Sequence, residues 1–358
     1  MAGERQPDPD FWRGRSVFLT GHTGFVGGWL AFWLARMGAQ IVGYSLPPPT
    51  EPNFYDSVGI KDLVSSTQAD IRDRARLEHA IASARPEILL HLAAQPLVGV
   101  AFHETFSTFM TNVVGTLNVL EAARAVDSIK AIVVFTTDKV YAETNRPRRS
   151  QEDDPLGGQE PYALSKASAE FAVHAYRHSQ FMRERSDLAL MTIRAGNIIG
   201  GGDWALDRLV PDAIRAFRTH QSLLLRMPQA IRPWQFVLDA VSGLLLLAEA
   251  AYGEPRRFSG AWNFGPVERA TTPVAEVADA LVRHWGGGAS WRTAGEPGIP
   301  ETEKLEIDSG KAVAQLGWRP KWPLATTIDQ TIAWYRNFYD GNDMRKVTAK
   351  QIDIYTGN

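Results

Sequence analysis

Short apolar runs alternate with stretches of helical periodicity through the first half of the chain. That alternation predicts parallel strands joined by crossover helices. Strands are expected at SVFLT (Ser16–Thr20), at 40–44 after Gly38, and at 63–67. Three more follow at ILLHL (88–92), AIVVFT (131–136) and ALMTIR (189–194). ILLHL is a nearly continuous apolar run, suited to a strand covered on both faces. Helices are expected over 29–37, 73–84, 105–126 and 160–184. After Asn197 the texture changes: Gly200, Gly201 and Gly202 run into DWALDRLVPD, and later segments are short and rich in Pro and Trp. The reading is an α/β chain built on a doubly wound parallel sheet. One unit spans 1–195 with returns near 237–265, including a strand at 262–264, and a smaller interleaved α/β unit takes 196–236 and 266–345. The run 243–251, which contains Glu249, reads as a buried helix. The first ten residues are expected to be loose, and the polar tail beyond Tyr339 peripheral.

Composition narrows the function classes. The chain has 358 residues, 44% hydrophobic and 22% charged, ordinary for a globular protein able to bury a large core. With 38 Lys+Arg against 40 Asp+Glu, the net charge of -2 gives no broad basic footprint for nucleic acid or an anionic membrane. The absence of cysteine removes disulfides, thiolate nucleophiles, Cys-ligated zinc and iron–sulfur clusters. No run reaches the ~18 apolar residues of a membrane span. The start, MAGERQPDPDFW, is charged and proline-interrupted, unlike a signal or transit peptide. A cytoplasmic location is expected.

The first strand runs directly into Gly21, His22, Thr23, Gly24, Phe25, Val26 and Gly27, and then into a helix. Glycines there let the backbone turn sharply and approach a pyrophosphate, while the helix start offers unpaired N–H groups and a favourable dipole. Three glycines in seven residues also suit any tight strand–helix turn. Their place between the first strand and the first helix of a βαβ series favours a dinucleotide and a Rossmann-type sheet. Leu92, Ala93, Ala94 and Gln95 end the fourth strand with small residues, so backbone can come close to such a cofactor.

Tyr162 and Lys166 lie one helical turn apart and project from the same face. A nearby ammonium lowers a phenol's pKa and makes it a usable base. Alone, Y-x-x-x-K is as well explained by a surface pair. It gains force about 25 residues beyond the strand AIVVFT and downstream of a nucleotide loop. Asp138 and Lys139 follow Thr137 directly. In a solvated loop they would mean little, but the carboxyl end of a central strand is where α/β sheets bind ligands.

The spacing G-x-x-G-x-x-G, the Tyr–Lys pair and the strand end Thr136-Thr137 together resemble the extended short-chain dehydrogenase/reductase family. The resemblance implies NAD as cofactor, with Asp70-Ile71 at the adenine and Asn112 as the family's helix asparagine. Second strands of NAD enzymes usually end in an acidic residue. Tyr44 and Ser45 stand there instead, so NAD over NADP rests on the resemblance. Thr137-Asp138-Lys139 resembles the Thr-Asp-Glu triplet of that family's nucleotide-sugar 4,6-dehydratases, and its lysine form resembles the branch acting on CDP-glucose. GHTGF, HLAAQPL, TNVVGT, TTDKVY, PYALSK, RAGNIIGGGDWALDRLVPD, RPWQFV, WNFGP and QLGW resemble that branch in order and spacing, nearly end to end. Val140 and Ala163 depart from it without altering a proton-transfer group.

The implied reaction is dehydration of the sugar by internal hydride transfer through tightly bound NAD. Thr137, Asp138, Lys139, Tyr162 and Lys166 form the expected catalytic set, with Asp138 as acid at C6. Lys139 is the C5 base or an electrostatic support for the enolate. Gln95, Arg194, Asn197, Arg208 and Arg232 are the expected substrate contacts, arginine being suited to a diphosphate. Arg194 also reads as a structural strand-end residue. Rival readings are a 4-epimerase or a 4,6-dehydratase for another nucleotide sugar, and a sensor that kept the fold without the chemistry. His174 and His178 share a helical face but lack a third ligand, so no metal is expected. The resemblance also implies a homodimer or homotetramer serving deoxysugar synthesis, including that of lipopolysaccharide.

Overall fold

Seven parallel strands form the central sheet. They are β1 (Ser16–Thr20), β2 (Gln40–Ser45), β3 (Ser65–Gln68), β4 (Ile88–His91), β5 (Ala131–Phe135), β6 (Ala189–Ala195) and a last strand, Gly260–Phe264. Across the sheet the order is Gly260–Phe264, β6, β5, β4, β1, β2, β3. The computed structural model describes residues 5–142, 148–268, 272–295 and 302–357. The order reverses at β1, and this switch point creates the crevice at the carboxyl ends of β1 and β4. A Rossmann-type doubly wound sheet is therefore present, and the second half of the chain returns to complete its edge beside β6.

The apolar runs become strands because both faces are covered. Val17 and Leu19 enter one core with Ile88, Leu90, Ala131, Val133, Met191 and Ile193. Phe18, Leu89, Ile132, Val134 and Leu190 enter the other. Each such aliphatic side chain contributes about 1.5–3 kcal/mol on burial, so the period-2 alternation is lost from the hydropathy pattern while it persists in the geometry. Helices Phe25–Arg36 and Val237–Gly253 cover the first face, with the latter buried nearly all round. Arg74–Ala84, Gly115–Arg124 and Pro161–Arg177 cover the second. Two short parallel pairs lie outside the main sheet: Ile198–Ile199 with Gln235–Phe236, and Leu223–Leu225 with Trp291–Thr293.

Three expectations are corrected by long-range contacts. The helix expected over 105–126 is interrupted by a π-turn at Met110–Val114, between Thr105–Phe109 and Gly115–Arg124. The π-turn carries Asn112, in keeping with the tendency of such bulges to sit at functional sites. The start of the chain is docked from Arg5 onward, while residues 1–4 lie outside the described residues. The buried Glu249 carboxylate needs donors, and the Trp12 indole N–H (2.6 Å) and Asp8 amide (2.9 Å) supply them. The tail is a helix, Met344–Thr356, whose fully buried Tyr355 donates to Asp239 at 2.8 Å. Among the described residues no helix is long and apolar enough to cross a membrane.

Candidate active site

The carboxyl end of β1 is built around one hydroxyl. Thr20 Oγ1 accepts the amides of Leu92 and Ala93 at 3.1 Å each and pairs with His91 Nδ1 at 2.7 Å. This draws the β4 exit loop against the glycine loop. A Cβ on Gly27 would stand 2.1 Å from the Gly21 carbonyl oxygen. The turn is therefore closed too tightly for a side chain. Gly24 caps the helix Phe25–Arg36 without a side-chain hydrogen bond, so its first-turn amides face the loop without that partner. Thr23 Oγ1 pairs with Ser45 Oγ at 2.7 Å and donates to the Leu46 carbonyl, tying the loop to the end of β2.

This cradle fits a dinucleotide pyrophosphate, with the loop amides and the helix dipole aimed at the same point. Farther along, the Tyr44 hydroxyl donates to the Asp70 carbonyl at 3.1 Å, which places 70–71 beside the end of β2. Arg72 grips the Asp70 carboxylate at 2.8 and 2.6 Å. Burial tends to raise that carboxyl, but Arg72 holds it below its ordinary value. His22 behaves differently from the expectation for the loop. Its ring is turned beneath β2 against Gly43 and pairs with Ser66 at 2.7 Å, and burial lowers its pKa to about 4. Only its backbone belongs to the cradle. Replacing Gly27 by Ala is expected to cut the NAD retained by the purified protein at least about tenfold, with the fold intact by circular dichroism. Release of bound nucleotide on denaturation measures this, and wild-type NAD content would contradict it.

At the end of β5 the catalytic candidates meet. Thr137 Oγ1 donates to Asp138 Oδ1 at 3.0 Å, beside the buried Tyr162 phenol. Burial raises the phenol to about 12, opposed by Thr137 and the Arg208 charge, with Asp138 acting in the raising direction. Lys166 is 6% exposed and donates to the Phe135 carbonyl at 2.9 Å. Burial lowers its ammonium to about 8, opposed by the charge of Glu170. Asp138 is 4% exposed, and its Oδ2 is buried without a hydrogen-bond partner. Burial raises this carboxyl, opposed by Lys139, Thr137 and Arg232. A buried carboxyl in this state is suited to hold a proton and give it up. Lys139 is half-buried on the adjoining turn Asp138–Val140.

Asn112 Oδ1 accepts the Gln95 amide at 2.8 Å, and its Nδ2 donates to the Gln95 carbonyl and the Ser165 hydroxyl. The asparagine thus locks the β4 exit loop to the helix that carries Tyr162 and Lys166. The Gln95 carboxamide is committed to Leu97 and Thr108, so it is a loop brace and not an open substrate contact. Arg208 pairs with Asp203 at 2.9 Å beside Tyr162, and Arg232 lies within the field felt by Asp138. Asn197 takes a left-handed φ of 36° at the end of β6, a conformation asparagine tolerates. Arg194 does not join them. Its guanidinium forks onto Glu170 at 3.0 and 2.9 Å and reaches the Tyr141 hydroxyl at 3.0 Å, so it is a buried structural partner. Three further residues belong to this region. His91 bridges Thr20 and Thr116 (3.1 Å), Glu170 continues the Tyr162–Lys166 row, and Gly196 backs Asp138. Only Glu170 had a local signal, its i+4 spacing from Lys166. Among the described residues no group of three or more His, Cys, Asp or Glu is placed to hold a metal ion.

The sequence from 17 to 263 matches the model of the "NAD dependent epimerase/dehydratase family". The chain belongs to that family. The match spans the glycine loop, the Thr137–Lys166 cluster and the last strand of the sheet. A CDP-glucose 4,6-dehydratase of Salmonella typhimurium is 42% identical over 351 residues, covering 97% of this chain and 98% of that protein. The Thermus thermophilus UDP-glucose 4-epimerase, solved with NAD, superposes with a TM-score of 0.76 at 25% identity, over 89% of this chain and 98% of that one. A dTDP-glucose 4,6-dehydratase, DesIV of Streptomyces venezuelae, superposes equally well (0.76) over 90% of this chain and 97% of its own, and at 22% identity speaks for the fold alone. Family membership makes the chain an NAD-dependent enzyme of the epimerase/dehydratase type.

Proposed function

We propose that this enzyme removes water from CDP-glucose to give the CDP-4-dehydro-6-deoxy sugar. The observation that carries the reading is the buried Thr137-Asp138 pair beside Tyr162 at the end of β5. An epimerase needs one proton-transfer group at C4, whereas loss of water across C5 and C6 needs an acid and a base more. Asp138 and Lys139 answer that need, and the 42% identical CDP-glucose 4,6-dehydratase supports the cytidine nucleotide.

Bound NAD supplies reversible hydride acceptance at the sugar. The glycine-loop backbone, Ser45, Asp70 and the 92–95 segment hold it, and Lys166 and Tyr162 border its reactive end. Tyr162 takes the 4-hydroxyl proton; burial raises its phenol, and the positive charge of Arg208 works toward the ionised form the step requires. The 4-ketone acidifies C5, where Lys139 removes the proton. Asp138 protonates the departing 6-hydroxyl, so the C6–O bond breaks as water forms and a C5–C6 double bond is left. The hydride taken from C4 would return from the bound cofactor to C6 while Lys139 gives its proton back to C5, which completes the 6-deoxy sugar. Arg208 and Arg232 bind the diphosphate, their donors set by Asp203 and by the carbonyls of Ile231 and Glu303. Residues 196–236 and 266–345 supply this substrate-holding part.

The test is CDP-glucose carrying deuterium at C4, incubated with the protein and NAD. The expected product is the 4-keto-6-deoxy sugar nucleotide with the label at C6. An unlabelled C6 overturns internal transfer, and turnover of dTDP-, UDP- or GDP-glucose in place of CDP-glucose overturns the assigned base.

The assembly is proposed to be a homodimer through the helices 98–109 and 161–177. Phe106 is 80% and Phe171 56% exposed, with Phe102 and Leu164 beside them, an apolar face out of place in water. Phe106→Asp with Phe171→Asp is expected to halve the particle mass in light scattering, and an unchanged mass excludes this face.

A further inference from the structure

Glu170 stands two turns beyond Tyr162 and one beyond Lys166 on the helix Pro161–Arg177, so the three side chains form one row. It is 1% exposed, and all four acceptor directions of its carboxylate are used. Oε1 accepts the Thr136 hydroxyl at 2.7 Å and Arg194 Nε at 3.0 Å. Oε2 accepts the Thr192 hydroxyl at 2.8 Å and Arg194 Nη2 at 2.9 Å. Burial works to raise this carboxyl, yet the Arg194 fork and the two hydroxyls keep it below its ordinary value, so it is a lasting negative charge.

Both of its neighbours lead to the reacting groups. Thr136, the residue after β5, extends the pairing with β6, its amide donating to the Ile193 carbonyl at 2.7 Å, and Thr137 and Asp138 follow directly. Lys166 donates to the carbonyl of Phe135, the residue before, at 2.9 Å. Lys166 and Glu170 therefore clamp consecutive residues of one strand end from one helix. We propose that Glu170, braced by Arg194, is a positioning residue for the dehydration: it fixes the Thr137-Asp138 peptide and keeps Lys166 charged. The inference rests on the function proposed above for its substrate; for Lys166 it rests on the one-turn spacing along the helix and the strand end that both side chains hold.

The charged and titratable groups around Lys166 define the expected effect. From β4 it faces His91, which burial and the lysine itself hold neutral, with a pKa lowered to about 3. Asn112 of the π-turn approaches through Ser165, and the β5 end presents the uncharged Phe135 carbonyl. Tyr162 and Glu170 share its helix, and Glu170 is the carboxylate that supports its charge. Removing that charge lowers the Lys166 pKa, so the ammonium is lost at lower pH and the alkaline limb of the rate moves down.

The variants are Glu170→Gln and the double variant Glu170→Gln/Arg194→Met, which removes the Arg194 guanidinium together with its partner; Arg177, farther along the helix and also within the field of Glu170, is kept in both. In both, the alkaline limb of kcat is expected to fall by about one pH unit and kcat at neutral pH by about 10- to 100-fold, with KM for CDP-glucose within about threefold of wild type. Competitive acetylation of Lys166 across pH, read by mass spectrometry, is expected to shift by the same amount without any substrate. An unmoved Lys166 labelling curve in the folded double variant overturns the proposal, as does a loss confined to KM. If wild type fails to turn over CDP-glucose while the labelling curve shifts, the substrate reading fails and the role of Glu170 stands.

Discussion

Asp138→Asn is expected to slow formation of the 4-keto-6-deoxy product by about 10²–10⁴-fold while leaving the chemistry at C4 and C5 in place. The substitution keeps the size of the side chain and its bond from Thr137, and removes only the proton that Oδ2 can deliver. In wild type, burial raises this carboxyl, so the acid form persists to higher pH than for an exposed aspartate. The measurement is made in deuterated water. Recovered CDP-glucose should gain deuterium at C5, since Tyr162 and Lys139 still act, while free product fails to accumulate. Loss of the C5 exchange would reassign Asp138 as the C5 base, and unchanged turnover would remove it from proton transfer altogether.

The strands β1, β2, β4 and β5 were legible because a parallel strand buried on both faces must be written in apolar residues. The last strand was legible at 262–264, but its pairing with β6, across the helices Leu209–Arg218 and Val237–Gly253, leaves no local trace. Within the site, motifs of fixed spacing on one element were legible: the glycine turn, Thr137-Asp138, and Tyr162 with Lys166. What escaped reading was decided by partners far away in sequence. Arg194 looked like a phosphate ligand because the sequence hides Glu170, 24 residues back, which takes its guanidinium. The Gln95 carboxamide is claimed by Thr108, and the N-terminal Trp12 by Glu249, 237 residues away. Polarity marks a side chain as able to bind, and only the packed neighbours decide whether it is still free.

Gly196→Ala is expected to damage catalysis as severely as loss of the acid, from a position that bears no chemistry. A Cβ at Gly196 would stand 2.0 Å from Asp138 Oδ2 and 2.1 Å from Cγ, inside any allowed contact. Asp138 is held by Thr137 and lies on the short turn Asp138–Val140, itself anchored by buried Val140, so the carboxylate cannot simply retreat. Overpacking of this kind typically costs about 1–3 kcal/mol of stability, a loss a domain this size tolerates. The displaced carboxyl then misses the departing oxygen, where an ångström of misplacement costs about 10²-fold in rate. The expected result is a folded protein with wild-type NAD content and KM, and kcat lowered by about two orders of magnitude. Because the C5 exchange should survive as in Asp138→Asn, combining the two substitutions should add little. A multiplicative loss in the double variant would mean that Gly196 serves some group other than Asp138.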